Sequence, residues 1–523
     1  MVVTQHAVAD TFQSAFDTEL RGMMDVHSTA SLSSRSFAVG DSVEARRTSS
    51  FEDCDVLYYE AKVTAVHRMS TPALGSATTT ASAGAGEVTH YDLNFEDDSV
   101  QRAVPAAWVI PNTRRIVAER GHARVIIGHA GTHDAWRKGI CHGDSSGQAA
   151  PGPESLCREV LLMVFTECPT LYQSAVALQS SSSEGKTMVL DHSELPFEQH
   201  QCFSLIVALA GGKTSAARAL PGSRALSLAM LGGGGCSLPT ALRDTFGEAL
   251  DIDVVELDTD VVTVAREFFG ATDSAHFRLR EGDAEVFLRT APEESFDAIL
   301  VDVASTSASA GADGDDEGMV LPPDDFVSEE FLSGQLARCL APGGERGCAF
   351  VYSRSILTTV CAQTSGNFRL FTPPLAQFPA TIETRVLCSF ILPNTHLGVR
   401  TLRSDGGVCV MNVIGGRAAL GEVAERFRRS FPSPGGAAVL CTDPNYLFWG
   451  FKGDGGWGGS EGGAPTPKEV LAAAAVHPKL VKLCPFALSL VRDTKRHLEV
   501  GDLMGWVTID EFIAMLADPE VIV

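Results

Sequence analysis

No two cysteines in this chain stand in a CxxC pair, and their number, 13, is odd. That excludes a zinc ribbon or finger and argues against a disulfide framework, so the thiols are expected to stay reduced inside a cell. No apolar run approaches the roughly 18 residues of a membrane helix, and no basic segment leads into an apolar core at the start. Neither a membrane span nor a leader is expected, and the cytoplasm, with the nucleus as a second location, is the expected compartment. Positive charge is scarce: 41 Lys and Arg face 65 Asp and Glu, a formal net charge of -24. Such a balance argues against general binding to nucleic acid or to an anionic membrane and admits a basic protein as partner. Two nucleotide signatures are missing as well. "GGKTS" lacks the upstream glycine of a phosphate loop, and Ser237 stands where a dinucleotide fingerprint needs its third glycine.

What the chain does have is length and alternation. Its 523 residues, 45% hydrophobic and 20% charged, predict two to four globular domains. From about residue 200, short apolar runs alternate with helical patterns, which predicts an α/β fold with a doubly wound, Rossmann-like sheet. "ALSLAML" reads as a strand, then come Gly232, Gly233, Gly234 and Gly235, then the helix "SLPTALRDTFGEAL". "DIDVVELD" is the second strand and carries Glu256 and Asp258 at its end, with Thr259 or Asp260 placed to cap the next helix. "HFRLREGDAEVFLR" runs through a third strand to Asp283 and Ala284; "FDAILVDV" is a fourth that ends at Asp302; "GCAFVYS" reads as a fifth.

Ligands of open parallel sheets lie outside the carboxyl ends of the strands, where all these polar residues fall. The glycines let the backbone approach a ligand and offer amide N–H groups at a helix start. Glu256 is placed to accept from ribose hydroxyls, Asp283 from an adenine amine, and Asp302 faces the reacting end. S-adenosylmethionine fits this pattern better than a dinucleotide, since it has a ribose and an adenine but no pyrophosphate. A glycine turn or a strand-end acid taken singly is more often only a tight turn or a helix cap; agreement at four strand ends favours a site.

As a set, "LDHSELPFEQHQ", "SLAMLGGGGCSLPTAL", "VVELD", "GDAEVFL", "FDAILVDV", "PPDDFVSEEFL" and "LAPGG" resemble the spermidine-synthase-like branch of class I S-adenosylmethionine-dependent methyltransferases. Within it they look most like the C-terminal domain of the methyltransferase-like protein 13 type, over roughly residues 158–392 and again in the final helix. The resemblance implies methyl transfer from S-adenosyl-L-methionine to a lysine or N-terminal amine of a protein, translation elongation factor 1-alpha being the family's substrate. It implies cofactor contacts from Gly232 to Gly235, Glu256, Asp258, Asp283, Ala284 and Asp302. Asp302, Asp191 and His192 are the candidates for orienting or deprotonating the amine, although a histidine near a helix start is slightly more often structural. Cys236 departs from the family, which usually has glycine there.

Two rivals follow. Aminopropyltransferases of this fold carry an acid where this chain has Gly235, and a second acid after the fourth strand where it has "DVASTS". Their absence argues against a polyamine substrate. The other rival is a silent methyltransferase fold serving as a scaffold.

Before this region, residues 36–112 alternate apolar and polar positions around a polar insert at 70–87 and resemble a Tudor or Agenet barrel. Tyr59, Tyr91, Phe95 and Asp97 are the candidates for a cage around a methylated lysine or arginine peptide, at even odds with plain packing. The expected domains are thus a tail at 1–35, the barrel at 36–112, linking strands at 113–200, the cofactor-binding core at 201–392 and an extension at 393–523. No metal is expected: a calcium loop threaded through Asp502, Gly505 and Glu511 has Val500 and Met504 at two ligand places.

Overall fold

The computed structural model describes residues 36–48, 54–69, 87–95, 99–106, 109–131, 157–166, 168–180, 188–211, 225–303, 319–341, 407–432, 436–442, 445–452, 464–499 and 504–518. The tail at 1–35, most of the insert at 70–87, the segment after Val303, the strand expected in "GCAFVYS" and Asp97 lie outside the described residues.

Ten antiparallel strands make the first sheet. They are β1 (Ser42–Thr48), β2 (Cys54–Met69), β3 (Glu87–Phe95), β4 (Val100–Pro105), β5 (Val109–Pro111), β6 (Arg115–Arg120), β7 (Ala123–Gly131), β8 (Cys157–Phe165), β9 (Cys168–Ser180) and β10 (Met188–Asp191). β1 to β5 form an all-β unit in the order β5-β1-β2-β3-β4. Alternate residues point inward: Val43 and Ala45, Ala61 and Val63, Leu93 and Phe95, the period-2 pattern of a half-buried strand. Among the described residues β4 and β5 do not pair. Nor is the unit separate, because Leu57 of β2 pairs with Ala130 of β7 and joins it to β6–β10.

Two of the residues expected in the cage are buried. Tyr91 is 1% and Phe95 2% exposed, both in the core of the unit, and the Tyr91 hydroxyl accepts the Phe37 amide at 3.0 Å. The alternation that suggested the motif places them inward. Tyr59 stacks on Tyr172 of β9 with ring centroids 4.9 Å apart.

Beside this stack lies a buried polar cluster. The fully buried Glu44 receives the Thr113 amide at 3.1 Å, faces His129 Nδ1 at 3.1 Å from both its oxygens, and has Arg114 Nε at 3.6 Å. The Arg114 guanidinium in turn donates to the Tyr172 hydroxyl. Taking the carboxylate from such a buried set costs about 3–5 kcal/mol. Glu44→Ala is therefore expected to lower the denaturant midpoint strongly, read by circular dichroism.

The second sheet has nine strands: β11 (Leu226–Leu231), β12 (Leu250–Glu256), β13 (Phe277–Glu281), β14 (Ala298–Val301), β15 (Met319–Leu321), β16 (Val408–Gly415), β17 (Ala437–Thr442), β18 (Asn445–Phe451) and β19 (Gly505–Thr508). The order is β13-β12-β11-β14-β16-β18-β17-β19, parallel from β13 to β16 and antiparallel beyond. Helices cover both faces. Leu228 and Met230 of β11 enter one core with the helices Glu198–Gly211, Ser237–Phe246 and Pro485–Glu499; Ala229 and Leu231 enter the other with Arg417–Ser430 and Ile509–Ala517. This is the doubly wound arrangement that buried strands require.

Two expectations are corrected here. β16, pairing Ala298 with Val408 and Val301 with Met411, holds the place beside β14 that "GCAFVYS" was expected to take. Consequently the stretch 393–523 is no appendage: it supplies β16 to β19, half the width of the sheet's path. The false calcium loop is a helix start, in which Thr508 and Glu511 form a reciprocal cap.

Candidate functional site

The glycine turn answers first to packing. Gly232 leaves β11 with φ +82, and a Cβ there would lie 2.0 Å from the Asp302 carbonyl oxygen. A Cβ on Gly233 would meet Val254 at 2.7 Å, and one on Gly234 or Gly235 would meet Ser174 of β9 at 2.9 Å. β9 thus presses on the turn from the first sheet, and only bare backbone fits between it and β12. Cys236, at φ +59, takes the left-handed conformation that suits glycine. Its side chain is fully buried in the core, where desolvation raises the thiol's pKa, so it does not face the site.

The turn's amides are already used, contrary to the expectation that they await a ligand. Gly232 donates to Val255 O, Gly233 and Gly234 to Glu256 Oε2 at 2.9 and 2.8 Å, Gly235 to Ser174 Oγ at 2.7 Å, and Cys236 to Gly233 O. Glu256 Oε1 also accepts the Asp258 amide at 3.1 Å. A carboxylate has about four lone-pair sites, so with three amides bound Glu256 retains one for a ligand hydroxyl. Leu257, beside it, is 64% exposed and offers an apolar face at the strand end that sequence reading passed over.

Asp258 and Asp283 serve as helix caps. Asp258 Oδ1 accepts the amides of Asp260 and Val261, so it, and neither Thr259 nor Asp260, caps the helix Thr259–Phe268. Asp283 accepts the Val286 amide at 2.9 Å at the head of Ala284–Thr290; Ala284 itself is buried. Asp283 is exposed at the end of β13, with its other oxygen available to an exocyclic amine.

Asp302 ends β14 next to the turn. Burial pushes its carboxyl up to about 6, the nearby Glu256 charge adding to this and a hydrogen bond from Asn412 Nδ2, 3.2 Å from Oδ1, opposing it. His200 Nε2 lies 3.9 Å from Asp302 Oδ2, and burial drives this imidazole down to about 3, so it is neutral at pH 7. Among the described residues His200 Nδ1 and Asn412 Oδ1, both buried, have no hydrogen-bond partner. The result is a cluster of acceptor atoms around a proton-hungry carboxyl, with no fixed cation beside it among the described residues. Such a cluster suits a group that donates N–H bonds.

Asp191 and His192 do not join it. Asp191 accepts the Ser193 amide and hydroxyl and lies 3.8 Å from Arg158. His192 packs against Gly270 and feels the charges of Asp244 and Arg243, two turns along the helix from the glycine turn; burial lowers its pKa to about 4. The stretch "LDHSELPFEQHQ" does contribute to the site, through its other histidine. Gln201 fixes that helix start, donating to Leu195 O and accepting the Phe486 amide. Sequence reading missed His200 and Asn412; a lone asparagine inside the apolar run "VCVMNVIG" is the signal that marks the latter.

No family model matches the chain. It is similar to spermine synthase of Arabidopsis thaliana, 29% identical over 227 residues, 41% of this chain and 56% of that protein. It is also similar to the eEF1A lysine and N-terminal methyltransferase of Bos taurus, 33% identical over 123 residues, 23% of this chain and 16% of that one. The chain thus spans about half of one curated relative and a small part of the other. Among solved structures, human methyltransferase-like protein 13 in complex with SAH overlays at a TM-score of 0.32 and 19% identity, covering 54% of this chain and 92% of that one.

Proposed function

We propose that this chain transfers a methyl group from S-adenosylmethionine to an amine of a basic protein. The observation that carries the reading is the Asp302 cluster: a half-buried carboxyl raised to about 6 beside a neutral histidine and an asparagine. The cofactor fits the residues present. Glu256 has one acceptor site left for the ribose, Leu257 offers an apolar face to the base, and Asp283 has an oxygen for its amine. When bound it supplies an electrophilic methyl carbon, so the protein needs chiefly to align a neutral amine. Asn412 holds Asp302 in place, and Asp302 takes a proton from the incoming ammonium.

Proton matching favours an N-terminal α-amine over a lysine. An α-ammonium of pKa about 8 lies ~2 units above Asp302 and costs about 3 kcal/mol to deprotonate there; a lysine near 10.4 costs about twice that. The Bos taurus relative is named for both kinds of amine on eEF1A, and the N-terminus of that factor is the first substrate to try.

Aminopropyl transfer is the second reading, supported by the longer match to a spermine synthase. Against it stands Gly235, where that family's acid is expected: a side chain there would run into Ser174 at 2.9 Å and Phe269 at 3.2 Å. Calorimetric titration with S-adenosylmethionine and with its decarboxylated form decides between them. Tighter binding of the intact cofactor is expected; preference for the decarboxylated form would move the assignment to polyamine synthesis, and binding of neither would leave a silent fold.

A further inference from the structure

Away from the Asp302 cluster, the tip of the β6–β7 hairpin meets the head of the helix Thr259–Phe268. Gly121 turns the hairpin with φ +52, and a Cβ there would lie 1.8 Å from Asp260 Oδ2, so the missing side chain is what admits that carboxylate. The next residue, His122, is held by its ring contact with Phe165, centroids 4.9 Å apart. Its Nε2 lies 3.3 Å from Asp258 Oδ2. Asp258 keeps Oδ1 on the helix amides, which leaves Oδ2 fixed toward the hairpin. One ligand atom from each of His122, Asp258 and Asp260 falls within 4.8 Å of the others.

The charge suits a cation, and the 3.3 Å between His122 Nε2 and Asp258 Oδ2 is a separation that two ligands of one ion can have. Ligand atoms each about 2.0–2.2 Å from a shared ion lie roughly 3–4 Å apart. Among the described residues neither aspartate pairs with a lysine or arginine, and the nearby Arg120 is engaged by Glu267 at 2.9 Å. Two carboxylates outweigh the roughly half positive charge of a helix start. One imidazole with two monodentate carboxylates, half-buried and open on one side to water, selects a borderline transition-metal ion over calcium or magnesium.

We propose that His122, Asp258 and Asp260 bind one divalent transition-metal ion, zinc serving as the probe, and that the ion ties the first sheet to the second. The sequence hides this set because His122 lies on another element, far along the chain from Asp258 and Asp260. The proposal stands apart from the methyltransferase reading.

The test uses the full chain stripped with EDTA, titrated with zinc chloride by calorimetry and melted with and without zinc. One equivalent is expected to bind and to raise the melting temperature. Asp260→Asn and His122→Gln should each weaken binding by about tenfold or more and abolish the rise. Asp258 is left intact because it caps a helix. Each variant's metal-free melt, compared with wild type, shows that it folds. A cobalt(II) spectrum separates this site from the chain's thiols, since thiolate ligation gives an intense near-ultraviolet charge-transfer band. The proposal is overturned by absence of a saturable equivalent, by unchanged binding in both folded variants, or by a thiolate spectrum for the bound ion.

Discussion

Asp302→Asn is expected to lower kcat for amine methylation by about 10²- to 10⁴-fold, the usual share of a positioned base, while cofactor affinity changes little. The amide keeps the size of the side chain and can still meet Asn412, but it cannot take a proton. The pH dependence separates this loss from simple damage. In the free enzyme Asp302 must be deprotonated, above its pKa of about 6, to take the proton of the incoming ammonium. Log kcat/KM should therefore climb with a slope near 1 below about pH 6 and flatten between there and the amine's own pKa. In the variant the lower break should vanish.

The same substitution has a signature in stability. Asp302 holds its proton more tightly folded, near 6, than unfolded, near 3.9, so its contribution is present at low pH and is lost as pH rises from about 4 through 6. His200 is the reverse: near 3 folded against 6.5 unfolded, its contribution is present above pH 6.5 and is lost as pH falls toward 3. Between about pH 4 and 6 the two slopes oppose one another. Asp302→Asn removes one of them, so the variant should lose stability on acidification more steeply than wild type, followed by thermal melts across that range. Parallel curves would mean that Asp302 titrates where an exposed aspartate does.

The second large effect belongs to Glu256. Glu256→Ala takes away the acceptor of the Gly233 and Gly234 amides together with the last lone pair for the ribose. A buried donor left without a partner costs about 1–3 kcal/mol, so the turn should loosen and S-adenosylmethionine binding should fall below detection. Glu256→Gln distinguishes the two losses, since its single carbonyl can hold the turn but not the turn and the ribose together. A near-normal melting temperature with binding weakened at least about tenfold is expected for that variant, by calorimetry. Undiminished affinity in either variant would remove Glu256 from the cofactor site.

Much of this site was legible in the sequence, and what was not has definite reasons. The places of Glu256, Asp283 and Asp302 at strand ends could be read because each follows or closes a short apolar run, and strand ends are where open sheets put their ligands. Their detailed jobs were not legible: that Asp258 caps a helix, or that Glu256 is half consumed by the glycine turn, depends on distances no spacing rule gives. "GCAFVYS" and "VCVMNVIG" are equally good buried strands on paper, and only pairing with β14 chooses the second. That choice hid Asn412. Of the two histidines in the stretch "LDHSELPFEQHQ", His200 and not His192 lies beside Asp302, and no spacing rule separates them, since both lie near the start of one helix. Tyr91 and Phe95 show the converse. Aromatic residues on alternating strands are as much a core as a cage, and 1% exposure settles Tyr91 as core.

The glycine turn is finished before anything binds. Each of its amides from Gly232 to Cys236 has a partner within the protein, and β9 bears on it from the far sheet through Ser174. A nucleoside arriving there meets a turn that is already formed, so little backbone entropy is lost at that turn on binding. Any strain that moves the first sheet, by contrast, is transmitted through one hydroxyl to that turn, and the ten-stranded sheet becomes a lever on cofactor residence time.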